Sequence, residues 1–125
     1  YEGRPGPLLY HATVHDYINS VKLLLSLGAK SMAYEDQTIL NIAVANSSYN
    51  TIEYLLKNGY TVNTASKDGI TPLMTATANN NIEMVNYLLT KKANIYAKTK
   101  GGKGIMFFAK NPEIRKIFAD KGLKE

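Results

Sequence analysis

The chain has 125 residues, fifteen Lys/Arg against ten Asp/Glu, a formal net charge of +5, and 45% hydrophobic and 20% charged residues, the make-up of a single globular domain with its own core. It has no cysteine, which excludes a disulfide framework and a thiolate metal site and leaves the redox compartment open. No apolar run approaches the ~20 residues that cross a bilayer, and Leu23 to Leu27 is broken by Ser26, so no membrane insertion is expected.

The charge is unevenly placed. Residues 1–89 carry five Lys/Arg against seven Asp/Glu, a balance of −2, whereas residues 90–125 carry ten against three, a balance of +7. A basic C-terminal third suits a partner with an acidic surface, or keeps an exposed end in solution.

Along the chain, the Gly- and Pro-rich opening Tyr1 to Pro7 reads as a boundary segment. One pattern then recurs. The first copy is Pro7-Leu-Leu-Tyr-His-Ala12 followed by Val21, Leu24-Leu25 and Gly28-Ala29. The second is Thr38-Ile-Leu-Asn-Ile-Ala43 followed by Ile52, Leu55-Leu56 and Gly59, 31 residues on. The third is Thr71-Pro-Leu-Met-Thr-Ala76 followed by Val85, Leu88-Leu89 and Ala93, a further 33 residues on. A degraded fourth, Gly104-Ile-Met-Phe-Phe-Ala109, precedes Ile114, Ile117-Phe118 and Gly122.

Each copy carries its own structural signals. Thr38 and Thr71 can cap a helix through their hydroxyls, and Pro72 sits at the first helical position, where a missing N–H costs nothing. Ala12, Ala43, Ala76 and Ala109 are small where paired helices approach. Val21, Leu24, Leu25 and their equivalents form an i, i+3, i+4 stripe. Gly28 and Gly59 suit a left-handed helix end, and Asp68-Gly69 marks a turn. The expected helices are 7–15, 17–27, 38–46, 49–58, 71–80, 82–91, 104–110 and 112–121. One helix pair cannot bury its apolar face alone, so the copies must stack. The last pair, with Arg115, Lys116, Asp120 and Lys121, suits a polar end cap. Leu8, Val14 and Ile18 of the first pair are left for the N-terminal segment or a further repeat to cover.

The pattern resembles the ankyrin repeat, whose signature is a Thr-Pro-Leu-His-x-Ala opening and a Val-x-x-Leu-Leu-x-x-Gly-Ala close at a period near 33. The resemblance runs from Pro7 to Leu123 and is best in Asp68-Gly-Ile-Thr-Pro-Leu73. Tyr10, Asn41, Met74 and Phe107 replace the motif histidine, Lys92 replaces a helix-ending glycine, and the first finger is about two residues short. The resemblance implies an all-α ankyrin-repeat solenoid of stacked helix-turn-helix pairs joined by β-hairpin-like finger loops. It would be one domain over 1–125, with repeats at about 7–37, 38–70 and 71–103 and a cap at 104–123.

Catalytic constellations are missing. His11 and His15 share one face of the first helix beside Asp16, a spacing that can hold a divalent metal, but no third ligand stands at suitable spacing and two polar residues on an exposed face are the simpler reading. The run Lys100-Gly-Gly-Lys-Gly104 lacks the strand, glycine spacing and Lys-Ser/Thr of a phosphate loop. Neither a cofactor nor a metal is expected, and the chain is not read as an enzyme. The cluster Lys91, Lys92, Lys98, Lys100, Lys103 and Lys110 could contact phosphates, but strand readers need stacking rings along a groove and Phe107 reads as core. Asn63 resembles the ankyrin asparagine that some hydroxylases modify, and reads more simply as a residue that bonds its own loop.

The expected role is that of a protein–protein interaction module, monomeric by itself. The alternative is a stand-alone inhibitor or immunity-type protein that blocks an enzyme, and weak nucleic-acid binding through the basic third ranks behind both. The resemblance implies a concave partner surface built from fingers and inner helices. By register it takes His11, Val14 and His15 from copy one, Ile42, Ala45 and Asn46 from copy two, Thr75, Ala78 and Asn79 from copy three, and Phe108 and Asn111 from the cap. The fingers add Tyr34, Glu35, Ser66, Lys67, Lys98 and Lys100. Tyr34, Ile42 and Phe108 are the expected anchors, as large side chains in a groove of small ones.

Overall fold

The computed structural model describes residues 5–28, 32–34 and 37–123. Eight helices lie along this part of the chain: α1 (Pro5–Val14), α2 (Ile18–Ser26), α3 (Ile39–Ala45), α4 (Tyr49–Lys57), α5 (Pro72–Ala78), α6 (Ile82–Thr90), α7 (Ile105–Phe108) and α8 (Pro112–Asp120). Two short strands, β1 (Met32–Tyr34) and β2 (Gln37–Thr38), pair antiparallel in the first finger. The helices fall into four pairs. The inner members α1, α3, α5 and α7 pack successively on one another, while α4 packs on α2 and α8 on α6. The first helix begins at Pro5, two residues ahead of the expected start, so part of the Gly/Pro-rich opening is helical.

The local signals act as their chemistry requires. The Thr38 hydroxyl accepts from the Asn41 N–H at 3.0 Å and that of Thr71 from the Met74 N–H at 3.2 Å. The outer helices α6 and α8 use Asn81 and Asn111 in the same way. Pro72 and Pro112 open their helices. Gly28 and Gly59 end theirs at φ of +97° and +95°, conformations that a Cβ disfavours. Lys92 adopts a φ of +68° at the same place in copy three, so the missing glycine leaves a strained lysine rather than a different fold.

The inner-to-outer turns are built from Asp16, Ser47 and Asn80, register equivalents that all lie near φ +55°, at 55°, 53° and 57°. From this position a side chain reaches the next copy. The Asp16 carboxylate accepts from the N–H groups of Asn50 and Thr51, at 3.2 and 2.8 Å, and from the Thr51 hydroxyl at 2.8 Å. It thereby caps the N-terminus of α4 from the neighbouring repeat, where a negative charge also meets the positive end of the helix dipole. Ser48 spans the same step by donating to the Thr13 carbonyl at 2.5 Å, and in the next step of the stack the Asn81 amide donates to the Ser47 hydroxyl at 3.1 Å. Asp16 is thus a structural cap, not a member of a metal cluster.

The fingers are linked as well. The Asn94 N–H donates to the Asn63 side-chain oxygen at 2.8 Å, and the Lys100 N–H to the Asp68 carbonyl at 3.0 Å. Asn63 therefore bonds the following finger and not its own loop. Gly69 is needed there: a Cβ would lie 3.0 Å from the Lys100 nitrogen and the Thr99 Cα. The core runs through the stack from Leu9 and Val21 through Leu40, Leu55, Leu73 and Leu88 to Ile114 and Phe118. At its start Leu8 stays 55% exposed while its equivalent in copy two, Ile39, is fully buried. Replacing Asp16 by Ala removes a charged cap that joins two repeats, and is expected to lower the unfolding free energy by about 1–2 kcal/mol in urea denaturation.

Candidate partner-binding surface

Alignment of the copies on Ala12, Ala43, Ala76 and Ala109 places the expected site residues in rows along the inner helices. The first row is His11, Ile42, Thr75 and Phe108. It is mostly packed. Ile42 is only 5% exposed, held between neighbouring inner helices, so it offers no anchor to a partner and the expectation for it is corrected. Thr75 is half-buried, with its hydroxyl directed at the Thr71 carbonyl. Phe108 is half-buried against the core and meets the Phe107 ring edge-on at 5.3 Å. The readings of these two phenylalanines are in effect reversed, because Phe107, read as core, is 51% exposed.

The next two rows are open. Ala45 and Asn46 at the end of α3, and Ala78 and Asn79 at the end of α5, are exposed. The Asn46 amide donates back to the Ile42 carbonyl at 2.9 Å, finishing its helix, and Asn79 takes the same C-terminal place on α5. In copy one Val14 is half-buried and His15 exposed. In the cap, Asn111 is half-buried and holds the start of α8 by accepting from the Glu113 N–H at 2.8 Å.

The two histidines do not converge. His11 lies edge-on to Tyr10 with ring centres 5.9 Å apart, and His15 stacks on Tyr17 at 5.3 Å. Among the described residues no three His, Cys, Asp or Glu side chains come together as a metal site. Of the finger residues, Lys67, Lys98 and Lys100 are exposed. Ser66 is not. It is 9% exposed, and its hydroxyl accepts from the Ile70 N–H at 3.1 Å, so it shapes the finger and the expectation for it is corrected. Tyr34 lies in β1; its side chain and Glu35 fall outside the described residues.

On the opposite side of the stack, α4 and α6 are joined by a reciprocal pair of contacts. The Tyr49 hydroxyl donates to Glu83 at 3.2 Å, the Tyr87 hydroxyl donates to Glu53, and the two rings meet edge-on at 5.1 Å. Lys91 completes the group 3.2 Å from Glu53. The Tyr87 hydrogen bond and then the Lys91 ammonium hold Glu53 below its ordinary 4.5. Burial and the neighbouring Glu53 push the Tyr87 hydroxyl up, and burial with Glu83 does the same to Tyr49. These groups tie two repeats together and leave the finger side free.

The model of ankyrin repeats, in three copies, matches residues 8–99. The chain belongs to the ankyrin-repeat family. It is 34% identical over 88 residues to the putative ankyrin repeat protein FPV034 of fowlpox virus (strain NVSL), covering 70% of this chain and 21% of that protein. It is 31% identical over 91 residues to the ankyrin repeat protein OPG189 of monkeypox virus, covering 70% and 16%. With BRCA1-associated RING domain protein 1 of Caenorhabditis elegans it shares 35% identity over 85 residues, covering 66% and 12%. The chain thus spans about a fifth or less of the length of these relatives. Ankyrin repeats are interaction modules without catalytic machinery of their own, and the family generally mediates contact between proteins. No helix among the described residues is long and apolar enough to cross a membrane.

The open rows were legible in the repeat register, whereas the buried state of Ile42 and Ser66 was not, since it depends on neighbours supplied by other copies. The lysines around Phe107 were legible as a basic cluster, but with Phe107 read as core the exposed ring beneath them was not. Its signal was present: Lys110 stands where the earlier copies carry Val44 and Thr77. For the Tyr–Glu pairs the pH dependence has a definite sign. Glu53 is held low in the folded chain, so its contribution to stability is in place above about pH 4.5 and is lost as pH falls through the lowered value. Unfolding of Glu53→Gln in urea should therefore show a shallower acid limb than the parent chain.

Proposed function

We propose that this chain holds a partner protein against the strip formed by the ends of its inner helices and its finger tips, and that the partner presents an acidic surface to Lys67, Lys98 and Lys100. The observation that carries this reading is the alignment of Ala45/Asn46 with Ala78/Asn79. Two successive helices end in an exposed pair of the same kind, one short and one amide-bearing. Short side chains let a partner approach the helix ends closely, and the Asn79 amide offers both donor and acceptor. Exposed lysines on successive fingers add charge complementarity, which speeds encounter and selects among partners. His15, stacked on Tyr17, and the half-buried Val14 extend the strip through copy one. Among the relatives, BRCA1-associated RING domain protein 1 is named for its association with another protein, in keeping with a binding role.

Affinity capture with the purified chain, read by mass spectrometry, tests this. The chain should retain a defined protein whose capture is lost in the double substitution Ala45→Arg and Ala78→Arg. Both positions are exposed helix ends, so the substituted chain should keep its helical spectrum and melting temperature. Undiminished capture by the substituted chain, or retention of nucleic acid as the dominant species, would contradict the proposal.

A further inference from the structure

The last finger and α7 enclose a cleft of about 330 Å³. Ile95, Met106 and Leu123 line it together with Tyr96, Phe107 and Lys98. Among the described residues, no acidic side chain lines it. Tyr96 is 64% and Phe107 51% exposed. The ammonium groups of Lys103 and Lys110 sit over the Phe107 ring, 4.8 and 5.2 Å from its centre. Among the described residues, neither these lysines nor Lys98 forms an ion pair.

Register shows how this end differs from the interior. Phe107 takes the place of Asn41 and Met74, each 1% exposed beneath the following copy. Lys110 takes the place of Val44 and Thr77, which are 1% and 0% exposed. Lys103 takes the place of the half-buried Ile70. Burying the Lys110 ammonium costs heavily unless a carboxylate receives it. A merely solvated end does not call for two aromatic rings lining an apolar cleft. Arg115 closes α7, donating to the Met106 and Ala109 carbonyls at 3.1 and 2.6 Å, so these helix-end carbonyls are satisfied without a following copy.

We propose that this end of the stack is a second binding site, separate from the finger and helix strip and not resting on it. Its occupant is an acidic segment of a partner protein that inserts one apolar or aromatic side chain between Tyr96 and Phe107. Its carboxylates lie on Lys98, Lys103 and Lys110. The cleft has room for one large side chain, and the ammonium groups already placed on the Phe107 ring are positioned to hold carboxylates above it. A nucleic-acid strand is a poorer match, since it needs rings spaced along an open groove.

The test is a titration of the isotope-labelled intact chain, followed by NMR, with a synthetic peptide of alternating Asp and Glu around one central Phe. The peptide should give saturable shifts in the amides of residues 95–98 and 104–107. Binding should weaken about tenfold with Phe107→Ser or when the peptide Phe is changed to Ala. It should weaken roughly two- to fivefold with Lys103→Ala or Lys110→Ala. Phe107 is half exposed, so Phe107→Ser should melt like the parent; if it does not, the two lysine substitutions carry the same readout. Absence of saturable shifts, shifts indifferent to the peptide Phe, or tighter binding of an oligothymidylate than of the peptide would each overturn the proposal.

Discussion

The inner helices α3 and α5 are seven residues long, too short to persist alone in water, and they hold because they are covered on three sides. In α3, Ile39 through Val44 are all buried; in α5, Pro72 through Met74 and then Ala76 and Thr77. Each packs on the inner helices before and after it and on its own outer partner. A helix buried nearly all round departs from the usual amphipathic pattern, and it can exist only inside a stack. Burying each large apolar side chain contributes on the order of 1.5–3 kcal/mol, and the ladder of such residues sets the register of the whole molecule. The turns and fingers add hydrogen bonds along the same direction: Asp16 to copy two, Asn81 to Ser47, Asn94 to Asn63 and Lys100 to Asp68.

This constraint explains which features the amino-acid sequence revealed. Helix positions, caps and the left-handed glycine ends depend on residues three or four apart, and Thr38, Thr71, Pro72, Gly28 and Gly59 behave as their chemistry alone requires. The roles that went unseen depend on a partner about one repeat away. Asp16 caps a helix 34 residues further on, and Asn63 accepts a bond from a residue 31 further on. Ile42 stands on what would be an open face of an isolated helix pair and is closed over by a neighbouring copy. Phe107 is exposed for a related reason: the position that copies two and three cover with a following repeat is open at the end of the described stack.

The same logic divides the surface by task. Side chains that meet a neighbouring copy carry the fold, whether apolar, as in Leu73, or polar, as in the Tyr87–Glu53 contact. What remains open on the finger side is a set of short, amide-bearing helix ends and lysine-tipped fingers, the part available to a partner. At the C-terminal end, lysines replace Val44, Ile70 and Thr77 equivalents around an apolar cleft, which gives that end a chemistry distinct from both.

The dependence of α3 and α5 on both neighbours is tested most directly by native-state hydrogen exchange on the intact chain. If stacking carries the fold, the amides of α3 and α5 exchange slowest, since exposing them requires opening an interface on each side, and those of α1 and α7 exchange faster. Slowest exchange in α1 or α7, with α3 and α5 opening as readily as the ends, would contradict it.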